Sequence, residues 1–462
     1  MTPITAERST VAGGGGARTR SVSLFAFTLR FTEPGGVTVP GKADRDAPAE
    51  RDRAHAVLDS GPHGVHLPGP SLAGALREMI GREWPARVDD LFGSLLPAGS
   101  SASDVDAVPS QVRLLGSRRL DDGSEFRSST KISRHRAAAE ASTLRTEEVL
   151  PPGARFAVFL RWDGASAGEA AEFAALLAAW RPFIGRGVSR GRGACATENV
   201  RWGALDLDQP EDLLRWLTLS GPGLVDAVAG PPLPAMTAVG PEPVLKVTAE
   251  ISGPFRIGYG HEPASGSREP VRLLRRGGQP VVPGAGVKGL VRSRAEFILR
   301  SVGIPACEDQ RCASAGPCWA CRVFGRGGGR DESADSVGAR ALLRIPDTVV
   351  RDFSERVRTH VAIDRFTGGA LPEALYTMEV LETGRFELRV DPIGAIGEPL
   401  LEEIRAVLRL VLNDLADGII GMGAGVARGY GTVRLPGLDR SGLPTTAQAR
   451  AVLAKMAGLD EH

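Results

Sequence analysis

The chain predicts an α+β fold built twice over. Three observations carry the prediction. A Pro-Gly turn opens an amphipathic segment at residues 67–76 (LPGPSLAGAL) and again at residues 282–291 (VPGAGVKGLV). Each segment leads to a Phe-Gly stop, Phe92-Gly93 in the first copy and Phe324-Gly325 in the second. Each copy then closes on a loop of glycine and arginine, 185–193 (GRGVSRGRG) and 421–431 (GMGAGVARGYG). Landmarks matched at so long a period mark a duplicated domain, because solenoid repeats run shorter.

Residues 1–20, with glycines at 13–16, read as a disordered lead-in. Residues 22–31 (VSLFAFTLRF) alternate as a strand does, and residues 244–251 (VLKVTAEI) open the second copy the same way. A polar, glycine-rich loop follows each, 32–66 and 252–280. The helix behind the turn is expected to open at Ser71, as N-cap, with Leu72, Leu76, Met79 and Ile80 on its apolar face. Its counterpart is expected to open at Gly286. Arginine-rich strands come next, 111–119 and 339–345, then long excursions, 127–147 and 356–376. Each excursion ends on a matching strand, 148–156 and 379–386, and a helix over 167–179 or 400–414 precedes the closing loop. Strand, helix, strand, strand, helix, strand is the ferredoxin-like order. The open face of such an antiparallel sheet is a common RNA platform. The expected division is a lead-in (1–20), a first domain (21–205), a connecting arm (206–242), a second domain (243–436) and a tail with a short helix (437–462).

Composition bounds the function. Hydrophobic content of 42% and charged content of 24% are those of a soluble globular chain. No run approaches the roughly 20 apolar residues that span a bilayer, and the N-terminus has no charged-then-apolar signal pattern. The expected location is therefore cytoplasmic. A net charge of +1 argues against a nonspecific nucleic-acid coater, although a balanced total conceals local basic patches.

Four of the five cysteines form Cys307-x4-Cys312-x5-Cys318-x2-Cys321, in the second copy alone. Four thiolates in one short loop suit tetrahedral Zn2+, and four protein ligands leave no open position for catalysis, so the ion is read as structural. Two disulfides, disfavoured in a reducing cytoplasm, and unpaired thiols are the alternatives. Cys195 stands apart and reads as a small buried residue.

The glycine-arginine loops and the helix starts are candidate phosphate contacts. Lys288 and Arg292 lie one turn apart on the second Pro-Gly helix, whose N-terminus offers backbone N–H groups to an anion. Arg186, Arg190 and Arg192 lie in the first loop and Arg428 in the second. Guanidinium groups pair with phosphate bidentately and glycines permit close approach. The alternative is a tight turn with solvated arginines.

The ordered set of motifs resembles the RAMP superfamily, and within it the backbone subunits of type III CRISPR effectors. Carrying the resemblance are LPGPSLAGALRE, DDLFG (89–93) and GRGVSRGRG in copy one. In copy two they are VVPGAGVKGLVRS, CWACRVFG (318–325), HVAIDRFTGGA (360–370) and GMGAGVARGYG. The resemblance implies a tandem subunit that fills two adjacent positions along a guide RNA, with target RNA and sibling effector subunits as further partners and no membrane. The excursions match the family's thumbs, which press into the guide–target duplex. RNA contacts are implied for Ser71, Lys131, Arg134, Arg136, Arg186, Arg190, Arg192, Lys288, Arg292, Arg365 and Arg428.

In active members an aspartate after the first strand helps cleave target RNA with a divalent ion, Mg2+ or Mn2+. Counting back from the Pro-Gly turn lands within one residue of Asp52, the first candidate in copy one; Asp46 of the same loop is the second, with Asp44 beside it. In copy two the count falls on Arg268, so that copy is expected not to cleave. His135 of the first excursion stands where copy two has Asp364. Two other readings remain. A guide-processing endoribonuclease wants a histidine-centred site, and no Tyr–His grouping stands out among the loops. A stand-alone RNA-binding protein would need no siblings.

Overall fold

The structure is a computed structural model. It describes residues 20–39, 54–56, 58–61, 64–94, 108–133, 138–141, 143–234, 236, 242–258, 269–307, 312, 317–327 and 338–459.

The first half opens on β1 (Ser21–Phe31). Helix α1 (Gly69–Glu83) buries Leu72, Leu76, Met79 and Ile80, the face its spacing predicted. A short α2 (Val88–Phe92) leads to β2 (Val112–Arg119). The excursion is a hairpin of β3 (Glu125–Ser129) and β4 (Arg145–Val149). Then come β5 (Arg155–Asp163), α3 (Ala167–Ala179) and β6 (Cys195–Asp206). The main sheet runs β2-β5-β1-β6, every pair antiparallel. Ser166 and Glu169 form a reciprocal capping box that fixes where α3 begins.

The arm expected over 206–242 is more than a connection. It carries α4 (Pro210–Thr218) and α5 (Gly221–Val228). Leu224 and Val225 of α5 pack on Val22, Leu24, Ala26, Phe159 and Leu205, the outward face of the first sheet. The inward face, with Phe25, Phe27, Leu29 and Phe31, packs on α1 and α3. A strand apolar on both sides must be covered on both, and α5 closes the part of the outward face that holds Val22, Leu24 and Ala26, while Thr28 and Arg30 farther along β1 stay half-exposed.

The second half repeats the plan. It has β7 (Leu245–Ile251), α6 (Gly284–Ser301), α7 (Trp319–Phe324), β8 (Leu343–Arg344), β9 (Arg351–Ile363) and β10 (Ala370–Pro392). Helix α8 (Glu398–Ala416), β11 (Val433–Arg434) and α9 (Thr446–Met456) complete it. The sheet order is β8-β10-β7-β11, with β9 paired to β10. Strand β7 alternates strictly, so Lys246 and Thr248 face solvent while Leu245, Val247, Ala249 and Ile251 face the core. The tail helix α9 belongs to that core through Leu453.

Four expectations are corrected. The strand expected over 148–156 is broken at the Pro151-Pro152-Gly153 turn between β4 and β5, since proline gives the ladder no N–H. Helix α1 is capped by Pro68, with Ser71 already inside its first turn, because Pro at the second helical position pre-sets φ. Helix α6 opens at Gly284, two positions before Gly286. The strand expected over 339–345 joins the sheet only at Leu343–Arg344, with Ala339 in a separate antiparallel bridge to Arg326.

The halves meet at a close seam. Arg127 of β3 pairs with Asp347, Glu33 pairs with Arg344, and Glu78 pairs with Arg340 at 3.2 Å. Arg344 also lies 4.9 Å over the Phe183 ring. Gly191 has φ +74, and a Cβ there would stand 2.6 Å from the Ile345 carbonyl oxygen. Its counterpart Gly429 has φ +78 and open space around it. Gly191→Ala is therefore expected to lower the unfolding free energy by about 2 kcal/mol or more, and Gly429→Ala by about 1 kcal/mol, the left-handed strain alone. Denaturant titration of the two variants separates them; equal losses would mean that the seam is looser than described.

Candidate functional site

The two closing loops share one backbone. In the first, Val188–Arg190 forms a single 3-10 turn between left-handed Gly187 and Gly191. In the second, Val426–Arg428 does so between Gly425 and Gly429. Only glycine takes such φ angles without strain, which is why the two motifs match in spacing.

The first loop abuts the start of α6. Lys288 donates from Nζ to Ser189 Oγ at 2.6 Å, and the Ile345 N–H points at the Ser189 carbonyl at 3.4 Å. A loop and a helix start expected separately to touch RNA, one from each copy, thus share one place. Burial, then Arg292 and Arg190, push the Lys288 ammonium down to about 7. Burial likewise lowers Arg190 to about 10; Arg192, Arg145 and Arg186 add to this and Glu147 opposes it. Among the described residues neither Lys288 nor Arg190 forms an ion pair.

Arg186 and Arg192 differ from Arg190. Both bind the buried Glu147, Arg186 at 2.7 Å. Burial pushes the Glu147 carboxyl up, but Arg192, Arg190 and Arg186 together hold it below the ordinary carboxylate range. Glu147 escaped notice in the sequence because a glutamate in an arginine-rich excursion reads as surface charge. The described basic residues of that excursion are also paired: Lys131 with Glu140 at 2.9 Å, Arg145 with Glu147 at 3.8 Å, and Arg127 across the seam.

Arg292 is corrected. It is buried, donating Nε to Glu296 at 2.8 Å, Nη1 to the Gly325 carbonyl at 2.5 Å and Nη2 to Cys321 Sγ at 3.1 Å. A guanidinium so engaged has no edge left for phosphate. Ser71 is half-buried within α1, and Arg365 is exposed at the tip of the second ribbon. Asp46, Asp52 and neighbouring Asp44, along with Arg134, His135, Arg136 and Arg268, lie outside the described residues.

The four cysteines converge. Their sulfurs all lie within 4.8 Å of one another. Cys307 Sγ stands 3.3 Å from Cys321 Sγ, and 3.7 Å from both Cys312 Sγ and Cys318 Sγ. None is in a disulfide. Tetrahedral thiolates at a zinc–sulfur distance of about 2.3 Å stand roughly 3.8 Å apart, so the donor set and spacing fit that ion.

The second ribbon holds a grouping that sequence reasoning missed. His360 and Tyr376 are cross-strand partners, with rings stacked at 5.3 Å. Tyr430 Oη lies 2.9 Å from His360 Nε2, and Arg428 donates to Tyr376 Oη at 2.8 Å. These residues are scattered along the chain; strand register joins His360 to Tyr376, and the closing loop brings Arg428 and Tyr430 to them.

A profile of the RAMP superfamily matches residues 14–196 and 248–434, most of the chain in two blocks. No curated protein matches.

The Lys288 amine has a thermal consequence. Its folded pKa lies below the ordinary lysine value, so between about 7 and 10.5 the unfolded chain binds more protons there and stability rises with pH; below about 7 the burial cost is fully present. Lys288→Met is expected to raise the urea midpoint of the RNA-free protein more at pH 6 than at pH 9. An equal shift at both would contradict the buried, uncompensated amine.

Proposed function

Because the chain belongs to the RAMP superfamily, we propose that it is a tandem guide-RNA-holding subunit of a type III CRISPR effector. On this reading each half is a ferredoxin-like domain with a thumb hairpin, and the two halves grip consecutive stretches of one guide strand. The second-third-first-fourth strand order in both sheets supports the domain assignment. Target RNA and sibling effector subunits are the further partners, and the location is cytoplasmic. No helix among the described residues is long and apolar enough to cross a membrane.

The observation that carries the proposal is the amine of Lys288 against Ser189. A half-buried lysine with two arginines near it and no ion pair among the described residues is electrostatically costly in the free protein. A phosphate there would remove the cost, accept from both copies and restore the charge of the amine. Arg190 and exposed Arg428 would take flanking phosphates.

Copy one cleaves target RNA in this proposal, with Asp52 first and Asp46 second as the aspartate that acts with Mg2+ or Mn2+; copy two does not cleave. The ion would serve the attack of a 2′-hydroxyl on the neighbouring phosphorus, with the aspartate orienting or deprotonating that hydroxyl; the P–O5′ bond breaks, leaving a 2′,3′-cyclic phosphate and a 5′-oxygen that takes up a proton. Cys307, Cys312, Cys318 and Cys321 hold a structural Zn2+. A second reading, a guide-processing endoribonuclease, gains from the His360–Tyr430 contact, since an imidazole bonded to a phenol is acid–base chemistry in place. It requires cleavage that survives EDTA and disappears in His360→Ala.

Two outcomes test the leading proposal on chain co-purified with guide RNA. Lys288→Met should weaken guide binding and reduce the salt slope of log K by about 0.7, one single-strand phosphate contact. Wild-type affinity should fall as pH rises above about 7, where the free amine loses its proton; an unchanged slope and flat pH profile would sink the seam as a phosphate site. Asp52→Ala should abolish metal-dependent cutting at the single position opposite copy one in end-labelled target, whereas unaltered cutting passes the role to Asp46 or rejects it.

A further inference from the structure

We propose that Arg292 is the positioning residue of the cysteine centre. Its guanidinium aims Cys321 Sγ toward the other three sulfurs while holding the Phe324-Gly325 turn, in a latch that the first copy closes with a carboxylate. The inference rests on reading the cysteines as a metal centre and adds a residue outside the ligand set.

Two equivalent contacts carry it. In the first half, Arg77 of α1 donates Nη1 to the Gly93 carbonyl at 2.5 Å and Nη2 to Asp89 Oδ1. In the second half, Arg292 of α6 donates Nη1 to the Gly325 carbonyl at 2.5 Å and Nη2 to Cys321 Sγ at 3.1 Å. Gly93 and Gly325 end their short helices with φ 78 in both cases. Asp89 and Cys321 sit at the same distance before those glycines. One arginine, one carbonyl and one side-chain acceptor recur in the same geometry; only the acceptor differs.

The difference is chemical. A carboxylate is a full anion, whereas a neutral thiol is a weak acceptor that gives a buried guanidinium little. The sulfur replaces the carboxylate on equal terms only as a thiolate, the form that binds metal. The second latch is also drier: the Arg292 side chain is 7% exposed, against 19% for Arg77. Four thiolates around a divalent ion leave excess negative charge, and Arg292 offsets it from the protein side while aiming Cys321 Sγ. Groups that orient metal ligands in this way typically change metal affinity by about 10–100-fold when removed. Glu296 on Nε completes the fork and holds the guanidinium plane.

The test uses the full chain, with zinc alone as ligand in competition with a chromophoric chelator. Arg292→Met should lower zinc affinity by about 10–100-fold. Arg292→Lys keeps the charge but cannot span both acceptors, and should fall between. Arg77→Met should leave zinc affinity unchanged. Cys321→Asp rebuilds the first copy's latch; with chelator present it should unfold at a higher urea concentration than Cys321→Ala, while both lose stoichiometric zinc. Arg292→Met affinity within twofold of wild type, or Cys321→Asp no more stable than Cys321→Ala, would overturn the proposal. Wild type that binds no zinc would instead defeat the metal reading, and the comparison of the two Cys321 variants would still decide whether Arg292 needs an anion there.

Discussion

A lysine amine and a loop serine from opposite halves meet at 2.6 Å, in a place crowded with arginine, and the rest of the chain is arranged around that meeting. The seam is held by neutralised pairs at its edges, Arg127–Asp347 and Glu33–Arg344, and by a glycine small enough to admit the Ile345 carbonyl. Its centre has been left positive. Uncompensated charge of this kind is expensive and persists where a ligand supplies the missing sign. The fold brings two weak anion sites, a glycine turn and a helix start, into one.

Duplication explains which features are scaffold and which are function. Glu148 and Glu379 each accept a backbone N–H from the loop ahead of the helix, Leu58 in the first half and Leu273 in the second. The two arginine latches behind α2 and α7 likewise recur. Elsewhere the copies diverge. The buried Arg192–Glu147 pair of the first half gives way to Tyr430 packed on Met378 in the second. An ion pair and an apolar contact fill the same place. The apolar version frees Tyr430 to bond His360. The first sheet is covered over part of its outward face by the α5 helix, while the second keeps a polar face with Lys246 and Thr248 outward.

Much of this was legible in the chain. Strand alternation placed β1 and β7, the apolar spacing placed the buried face of α1, and the repeated Pro-Gly and Phe-Gly landmarks placed α6 beside its cysteines. The loops were readable because left-handed turns demand glycine at fixed intervals. What escaped was set by partners distant in sequence. Glu147 is buried only because Arg186 and Arg192 return to it from the closing loop. Arg292 looked like a phosphate ligand because its helix position suits one, yet the side chain turns inward to Gly325 and Cys321. The arm over 206–242 looked like a linker because proline and glycine punctuate it, while the apolar residues of α5 answer an outward sheet face that local pattern alone does not expose.

The most direct test of the central claim is a density map of the chain bound to guide RNA, examined where the halves meet. One strand should pass continuously across both, with a phosphate within hydrogen-bond reach of Lys288 Nζ and Ser189 Oγ. A strand held by one half alone, or a seam crossed by RNA with no phosphate there, would contradict it.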